Sequence, residues 1–356
     1  MIQYMSAREA AEKWNISQRR VSILCSENRI PNVAMLGNMW LIPRDAEKPV
    51  DARMKRNTTT EKETIHPFVK WAGGKGQLLE VLKSNFPGGM GKTITKYAEP
   101  FVGGGALLFA LLSEFSFDEI YINDNNKELM NVFRVIKENC QALLRELKIL
   151  QEEYQKLDIE FQQSYYYAKR DEFNELILND NNAVVKAALF VFLNKTCFNG
   201  LYRVNKSGKF NVPAGKYKNP LIYDRENLIN ISIKLQNVII RSCDYHDVEN
   251  FADEKTFVYF DPPYRPLNVT SSFTSYTESS FNDNDQIELA KLYRKLADKG
   301  VKVLLSNSDP HNVNYEDNFF DDLYAGFDIQ RITAVRSINS KADKRGNVTE
   351  LLIKNY

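Results

Sequence analysis

The sequence has little on which metal or disulfide chemistry could rest. Its four cysteines, Cys25, Cys140, Cys197 and Cys243, are scattered and form no C-x-x-C pair. They offer neither a zinc pattern nor a disulfide framework and read as small buried hydrophobes. The three histidines, His66, His246 and His311, are equally dispersed, so no metal is expected. No apolar run approaches the roughly 20 residues of a membrane span, so no membrane partner is expected either. The opening MIQYMSAREAAEKW puts charges where a signal peptide has its apolar core, which points to a cytoplasmic protein. Repeats and low-complexity tracts are absent.

What is present is a chain of 356 residues, 43% apolar and 26% charged, able to bury a sizeable core in two or three domains. A net charge of +1 argues nothing about nucleic acid, but its distribution does. Residues 1–57 carry ten Lys/Arg against six Asp/Glu. Residues 194–220 carry Lys195, Arg203, Lys206, Lys209, Lys216 and Lys218 with no acid, and the remainder of the chain is acidic. A solvated charge run accounts for either stretch alone. Such concentration on a near-neutral chain also suits a phosphate-binding face.

Along the chain, Ser6 with Glu9 three residues on forms a capping-box pattern, and Ala7, Ala10, Ala11 and Trp14 share one helical face. Ser17 caps a second helix that turns Val21, Leu24 and Cys25 inward and leaves Arg19 and Arg20 outside. VAMLGNMWLIP then reads as a hairpin. Helix, turn, basic helix and hairpin over 1–50 resemble a winged helix-turn-helix of the MerR and excisionase type; a helical hairpin for protein contacts is the alternative. Residues 51–64 read as a polar linker. Strand–helix alternation follows, with a long helical stretch over 140–195 and strand-like runs at 237–242, 256–260 and 301–306. That pattern predicts a parallel α/β domain over 65–138 and 237–356, interrupted by an inserted domain over 139–236.

Two stretches carry chemistry. AEPFVGGGALLF lies between a strand and a helix, where a glycine turn lets a ligand approach the backbone. It is not the dinucleotide pattern, because Leu108 stands at the third glycine position; nor is PGGMGKT a phosphate loop, because Phe86 replaces its first glycine. Asp124, about 20 residues on at the end of the next strand, can accept the ribose hydroxyls of an adenosine. The second stretch is FVYFDPPYRPL at 257–267. A buried strand delivers Asp261 to its C-terminal edge, and Pro262–Pro263 stop both helix and ladder pairing. A stiff loop that displays one carboxylate and the ring of Tyr264 suits a flat ligand. A carboxylate and a proline carbonyl can take the two hydrogens of an adenine amino group, so that its lone pair attacks an electrophilic methyl in line. Tyr264 would stack on the base, flipped out of its duplex.

On these motifs, together with FVKWAGGKGQLL, INDNN, NKTCFNGLYRVNKSGKFNVPAGKY, FTSY and VRSINSKADKRGNVTELLIKNY, the chain from about residue 66 onward resembles the Dam-type, alpha-group DNA adenine-N6 methyltransferases of the D12 class. The resemblance implies a Rossmann-like methyltransferase domain with an inserted helical DNA-recognition domain. It also implies S-adenosyl-L-methionine as methyl donor, double-stranded DNA as substrate, a short palindromic target such as GATC, and a cognate restriction endonuclease as a possible partner. Trp71, Ala72, Gly73, Lys75, Glu99, Phe101, Gly103, Gly105, Asp124, Asp244, Tyr245 and Asp261 match cofactor positions. Asp261, Pro262, Pro263 and Tyr264 match the catalytic tetrapeptide. Lys70, Asn199, Leu201, Arg203, Lys209, Pro213, Tyr217, Phe273 and Tyr276 fall on the DNA side. In physical terms Arg203 suits a guanine edge, Leu201 and Pro213 a thymine methyl, and the lysines phosphates. Rival readings are a cytosine-N4 or RNA amino-methyltransferase, and a DNA-binding regulator whose methyltransferase fold no longer turns over.

Overall fold

A computed structural model describes residues 4–14, 16–26, 30, 33–37, 39–44, 46, 48, 65–179, 182–266, 281–335 and 347–356. The expected linker 51–64, Phe273, Tyr276 and residues 336–346 of the closing motif lie outside the described residues. The chain divides into two units, Met1–Lys62 and Glu63–Tyr356.

In the first unit the backbone N–H of Ser6 donates to Glu9 Oε2 at 2.7 Å and that of Glu9 to Ser6 Oγ at 3.3 Å, closing the capping box on α1 (Ala7–Trp14). Ser17 Oγ accepts from Arg20 N–H at the start of α2 (Gln18–Ser26). The alanine face of α1, Trp14, Val21, Leu24 and Cys25 bury together. The hairpin forms as β2 (Ala34–Leu36) and β3 (Met39–Pro43), and β1 (Tyr4–Ser6), a three-residue strand too short to show a period, pairs on the far side of β3.

The second unit is built on a seven-stranded sheet in the order β6-β5-β4-β7-β8-β10-β9. Its strands are β4 (Lys96–Glu99), β5 (Glu119–Asn123), β6 (Val238–Arg241), β7 (Thr256–Phe260), β8 (Lys302–Ser308), β9 (Asp328–Val335) and β10 (Asn347–Lys354). The first five are parallel; β10 runs antiparallel to both β8 and β9. The alternation rule thus found the parallel strands but not the antiparallel pair that closes the sheet. β7 is buried at every residue, as a central strand covered on both faces must be. Its side chains alternate: Phe257 and Tyr259 join one apolar cluster, Val258 and Phe260 the other.

Around the sheet lie α3 (Leu79–Ser84), α4 (Ala106–Glu114), α5 (Lys127–Gln155), α6 (Ile159–Asn179), α7 (Ala183–Thr196), α8 (Arg225–Lys234), α9 (Val248–Phe251), α10 (Asp283–Asp298) and α11 (Phe319–Leu323). The amphipathic stripe Leu143, Leu147, Leu150 and Tyr154 on α5 is buried, as its spacing predicts. α5 runs through residues 138–139 with a break at Asn139, where φ is −135°. The helical segment shares one apolar core with the sheet, from Phe68 through Leu143 and Phe192 to Leu352. The result is a mixed α/β architecture with a mostly parallel central sheet.

Candidate active site and nucleic-acid interface

The sheet order reverses between β4 and β7, and a crevice outside the carboxyl ends of strands is the expected ligand position in such a sheet. Glu99, Asp124 and Asp261 all emerge there, from β4, β5 and β7. Asn123 ties the strand ends together. Its Nδ2 donates to the carbonyls of Pro100 and Cys243, each at 3.1 Å, and its Oδ1 accepts from Cys243 N–H at 2.9 Å. Asp124 accepts from the backbone N–H groups of Gly103 at 3.0 Å and Asn126 at 2.9 Å, so the carboxylate and the glycine turn hold each other. Gly103 has φ +48°, and a Cβ there would fall 2.8 Å from Trp71 Cδ1, so the turn takes no side chain. Gly105 caps α4 in the left-handed region. Ala72, Gly73 and Gly74 are exposed beside Trp71.

Asp244 opens a short 3-10 turn by accepting from His246 N–H, which brings Tyr245 to within 5.2 Å of Phe101, ring centroid to centroid. Phe281 closes an aromatic trio with both, at 5.9 Å from each. The sequence reading missed Phe281, whose one signal is its place just before the cap of α10. Glycine turn, doubly hydrogen-bonded acid and aromatic trio fit an adenosine, with close backbone approach, an acceptor for ribose hydroxyls and a flat apolar wall.

Asp261 stands at the other lip, its side chain 19% accessible. Lys75 Nζ lies 2.8 Å from its Oδ1, and Ser306 Oγ donates to the same oxygen at 3.2 Å. Oδ2 has no partner among the described residues. Lys75, matched to the cofactor by motif, is thus held against the tetrapeptide, with Nζ 4.5 Å from the centroid of the Tyr264 ring. Tyr264 donates its hydroxyl to Glu350 Oε2 at 2.7 Å, which fixes the ring. The two prolines differ. Gln286 Nε2 donates to the Pro263 carbonyl at 3.1 Å and is itself held by Asn307 Nδ2, whereas no donor among the described residues reaches the Pro262 carbonyl. None of Ser306, Asn307, Gln286 or Glu350 carries a local sequence signal.

Burial pushes the Asp261 carboxyl up, and Lys75 pulls it back toward ionisation. Burial also raises Asp124, against two backbone donors. Glu99, 3% exposed, is pushed up to about 8, first by burial and then by the charge of Asp261, against the Tyr97 hydroxyl that donates to it at 2.8 Å. A carboxyl raised in the folded state keeps a proton that the unfolded chain releases. Its stabilisation is complete below about pH 4.5 and is lost as pH rises through about 8. The melting temperature of the ligand-free protein should therefore fall between about pH 5 and pH 8, and Glu99→Gln should flatten that fall. An equal slope in the variant would show that Glu99 is not the protonated group.

On the DNA side, the structure gathers Lys70, Asn199, Leu201, Pro213 and Tyr217 around one turn. Phe198 N–H donates to the Pro213 carbonyl at 2.9 Å, and Cys197 forms a bridge with Ala214. Asn199 and Gly200 both have positive φ, 55° and 64°, and a Cβ on Gly200 would fall 2.5 Å from Lys70 Cβ. Lys70 Nζ lies 4.2 Å from the centroid of the Tyr217 ring. Thr196 and Cys197 face inward, where Thr196 Oγ1 donates to the Phe192 carbonyl at 2.7 Å and Cys197 Sγ to that of Leu201 at 3.3 Å. Leu201 is 39% exposed, and so is Phe198, at 52%, which the motif reading did not single out. Beyond the turn, Arg203 opens a hairpin through a bridge between Val204 and Phe210. Asn205 Oδ1 ties its tip by accepting from Ser207 and Lys209 N–H, leaving Lys206 and Lys209 exposed. Burial and the neighbouring Lys70 push Lys195 below the usual ammonium range, against the charge of Asp224.

Among the described residues, no helix is long and apolar enough to cross a membrane and no group of His, Cys, Asp or Glu could hold a metal ion. Residues 71–338 match the family of D12 class N6 adenine-specific DNA methyltransferases. The chain is 51% identical over 294 residues to the type II methyltransferase M.MjaIII of Methanocaldococcus jannaschii, covering 82% of this chain and 99% of that one. It is 39% identical to the type II methyltransferase M1.LlaDCHI of Lactococcus lactis, with 83% and 97% covered. It is 32% identical to a DNA adenine methylase of Haemophilus influenzae, with 84% and 97% covered. The unit Met1–Lys62 lies outside the family match.

Proposed function

The chain belongs to the D12 class of N6 adenine-specific DNA methyltransferases and methylates adenine in DNA; from that premise we propose which residues do so and how. The observation that carries the reading is the pairing, across the sheet's reversal point, of a glycine–aspartate cradle with an anchored carboxylate. S-adenosyl-L-methionine, when bound, supplies an electrophilic methyl group on a sulfonium that leaves as the neutral thioether of S-adenosyl-L-homocysteine. Gly103, Asp124 and the trio Phe101, Tyr245 and Phe281 would hold its adenosyl part. On the target side, Asp261 Oδ2 and the Pro262 carbonyl accept the two hydrogens of the adenine amino group, and the fixed ring of Tyr264 stacks on the flipped base. Gln286 selects the carbonyl: by occupying that of Pro263 it leaves Pro262 as acceptor. As the nitrogen takes the methyl group and the carbon–sulfur bond breaks, the amine becomes positively charged and then releases one of its two protons to solvent; positioning and electrostatics carry the transfer itself.

Double-stranded DNA would lie along the turn Phe198–Leu201 and the hairpin after Arg203, with exposed lysines on phosphates. The type II names of two relatives support a partnership with a restriction endonuclease of the same target, a short palindrome. Mapping N6-methyladenine in DNA from cells that express the chain, against cells expressing Asp261→Asn, tests the whole reading. Methylation at one short symmetric sequence is the expected result, and no methylation dependent on the chain would reject it.

The N-terminal unit would serve as a tethered second DNA contact through exposed Arg19 on α2. Deleting residues 1–57 should leave the methylated sequence and the turnover on saturating DNA unchanged. It should raise the DNA concentration for half-saturation and make the salt dependence shallower. Equal affinity and equal salt slope would make the unit a protein-contact module instead.

A further inference from the structure

The segment Lys70–Trp71 belongs to both halves of the site at once. On the methyl-donor side, Trp71 packs against the glycine turn so closely that a Cβ on Gly103 or Gly104 would fall 2.8 Å or 3.0 Å from its side chain. On the DNA side, its indole stacks on Tyr202 at 6.0 Å and on Phe190 at 6.3 Å, with interplanar angles of 28° and 25°. One residue earlier, Lys70 is fixed by Asn194, a 3% exposed amide near the end of the apolar helix α7. Asn194 Oδ1 accepts from Lys70 N–H at 2.8 Å, and its Nδ2 donates to the Lys70 carbonyl at 2.8 Å and to the Gly200 carbonyl at 2.9 Å. Three of an amide's hydrogen-bonding sites are thus spent on joining two backbone segments, not on closing its own helix. The same two segments also touch directly, with Gly200 fitted on Lys70 so closely that a Cβ there would fall 2.5 Å from Lys70 Cβ, so the amide bonds join backbones with no slack between them.

We propose that Asn194 is a positioning residue that couples target recognition to the methyl-donor pocket. When bases engage the turn at Phe198–Leu201, the position of Gly200 is passed through the amide to Lys70–Trp71 and so to the glycine turn at Gly103. The coupling is reciprocal: cognate DNA raises affinity for the methyl-donor product, and that product raises affinity for cognate DNA by the same factor. The proposal rests on the reading of residues 197–203 as the base-reading turn.

The test is the coupling factor itself, measured on the full chain as the dissociation constant of S-adenosyl-L-homocysteine without DNA divided by that with saturating cognate duplex. For the wild type a factor above about five is expected, and with a duplex altered at one target base pair a factor near one. Asn194→Ser, which removes the carbonyl acceptor and both donors, should bring the cognate factor to near one while each binary affinity stays close to wild type. A role in stability alone would lower melting temperature and leave the factor intact, and that result would overturn the proposal. A wild-type factor of one would overturn it too. A second arm needs no variant: in the wild type, hydrogen exchange of the peptide spanning residues 68–74 should slow on cognate but not on altered duplex. Unchanged exchange there, should Asn194→Ser not fold, counts against the coupling. Arg203→Ala separates the premise from the inference. If it keeps full discrimination between the two duplexes, the assignment of the base reader fails, whatever the coupling factor shows.

Discussion

Asp261→Asn is expected to lower the rate of methyl transfer by about 10²–10³, the usual cost of removing one preorganised hydrogen-bonding group from a developing charge. The amide keeps the volume of the carboxylate, and its oxygen can still accept. What it loses is the charge that favours a developing positive charge on the amine as its lone pair is committed to the methyl group. Binding of S-adenosyl-L-homocysteine should change little, because Gly103, Asp124 and the aromatic trio form the opposite lip. The variant also leaves Lys75 8% accessible with no counter-charge, which costs stability by itself. Lys75→Met combined with Asp261→Asn removes that burden, so a rate loss that persists in the double variant belongs to chemistry. Lys75→Met alone has a distinct signature. Without the ammonium, only the Ser306 hydroxyl is left to oppose burial, the Asp261 carboxyl is raised further, and the acid limb of the single-turnover pH profile should move to higher pH. Methyl transfer at the wild-type rate by Asp261→Asn would end the mechanism.

β7 was legible because a strand buried on both faces is a continuous apolar run, and the prolines after it forbid continuation. The glycine turn and Asp124 were legible because close backbone approach and strand-end placement leave few residue choices. β9 and β10 were not, because β9, DIQRITAV, mixes charge with apolar residues at a sheet edge and carries neither the full run of a central strand nor a clean alternation. The carboxyl's surroundings were hidden for a different reason. Lys75 and Ser306 reach Asp261, Gln286 reaches Pro263 with Asn307 behind it, and Glu350 reaches Tyr264; a polar side chain supplied from a distant part of the chain leaves no pattern in its own neighbourhood. Asn194 is the exception that a stricter reading would have caught: a polar amide at the end of AALFVFLN is costly to bury unless the fold satisfies it. The cytosine-N4 and RNA rivals fall with the family match, since such a target would not place residues 71–338 in an adenine-specific DNA class.

Specificity gives the second large effect. Arg203 is exposed, yet it is not loose. Its Nε donates to Asn211 Oδ1 at 2.7 Å and its Nη2 approaches the Asn211 carbonyl at 3.5 Å. With the Nε edge of the guanidinium engaged, its Nη1 and the second N–H of Nη2 have no partner among the described residues. That pair matches the O6 and N7 acceptors of guanine in the major groove. Lys209 sits at the hairpin tip, exposed and held through its backbone by Asn205, where an ammonium meets phosphate and reads no base. Arg203→Ala should therefore cost about 1–3 kcal/mol of discrimination at one guanine of the target, measured as the ratio of kcat/KM on cognate duplex to that on a duplex with that base pair replaced. Lys209→Ala should weaken binding to both duplexes by the same factor and reduce the salt slope by about one phosphate's worth, leaving the ratio alone. Asn211→Ala supplies the intermediate case. It frees the guanidinium without removing it, so it should lose part of the discrimination of Arg203→Ala and none of the salt slope. Equal losses on both duplexes for Arg203→Ala and Lys209→Ala would mean that both residues are phosphate contacts and that the base is read by another side chain of the turn.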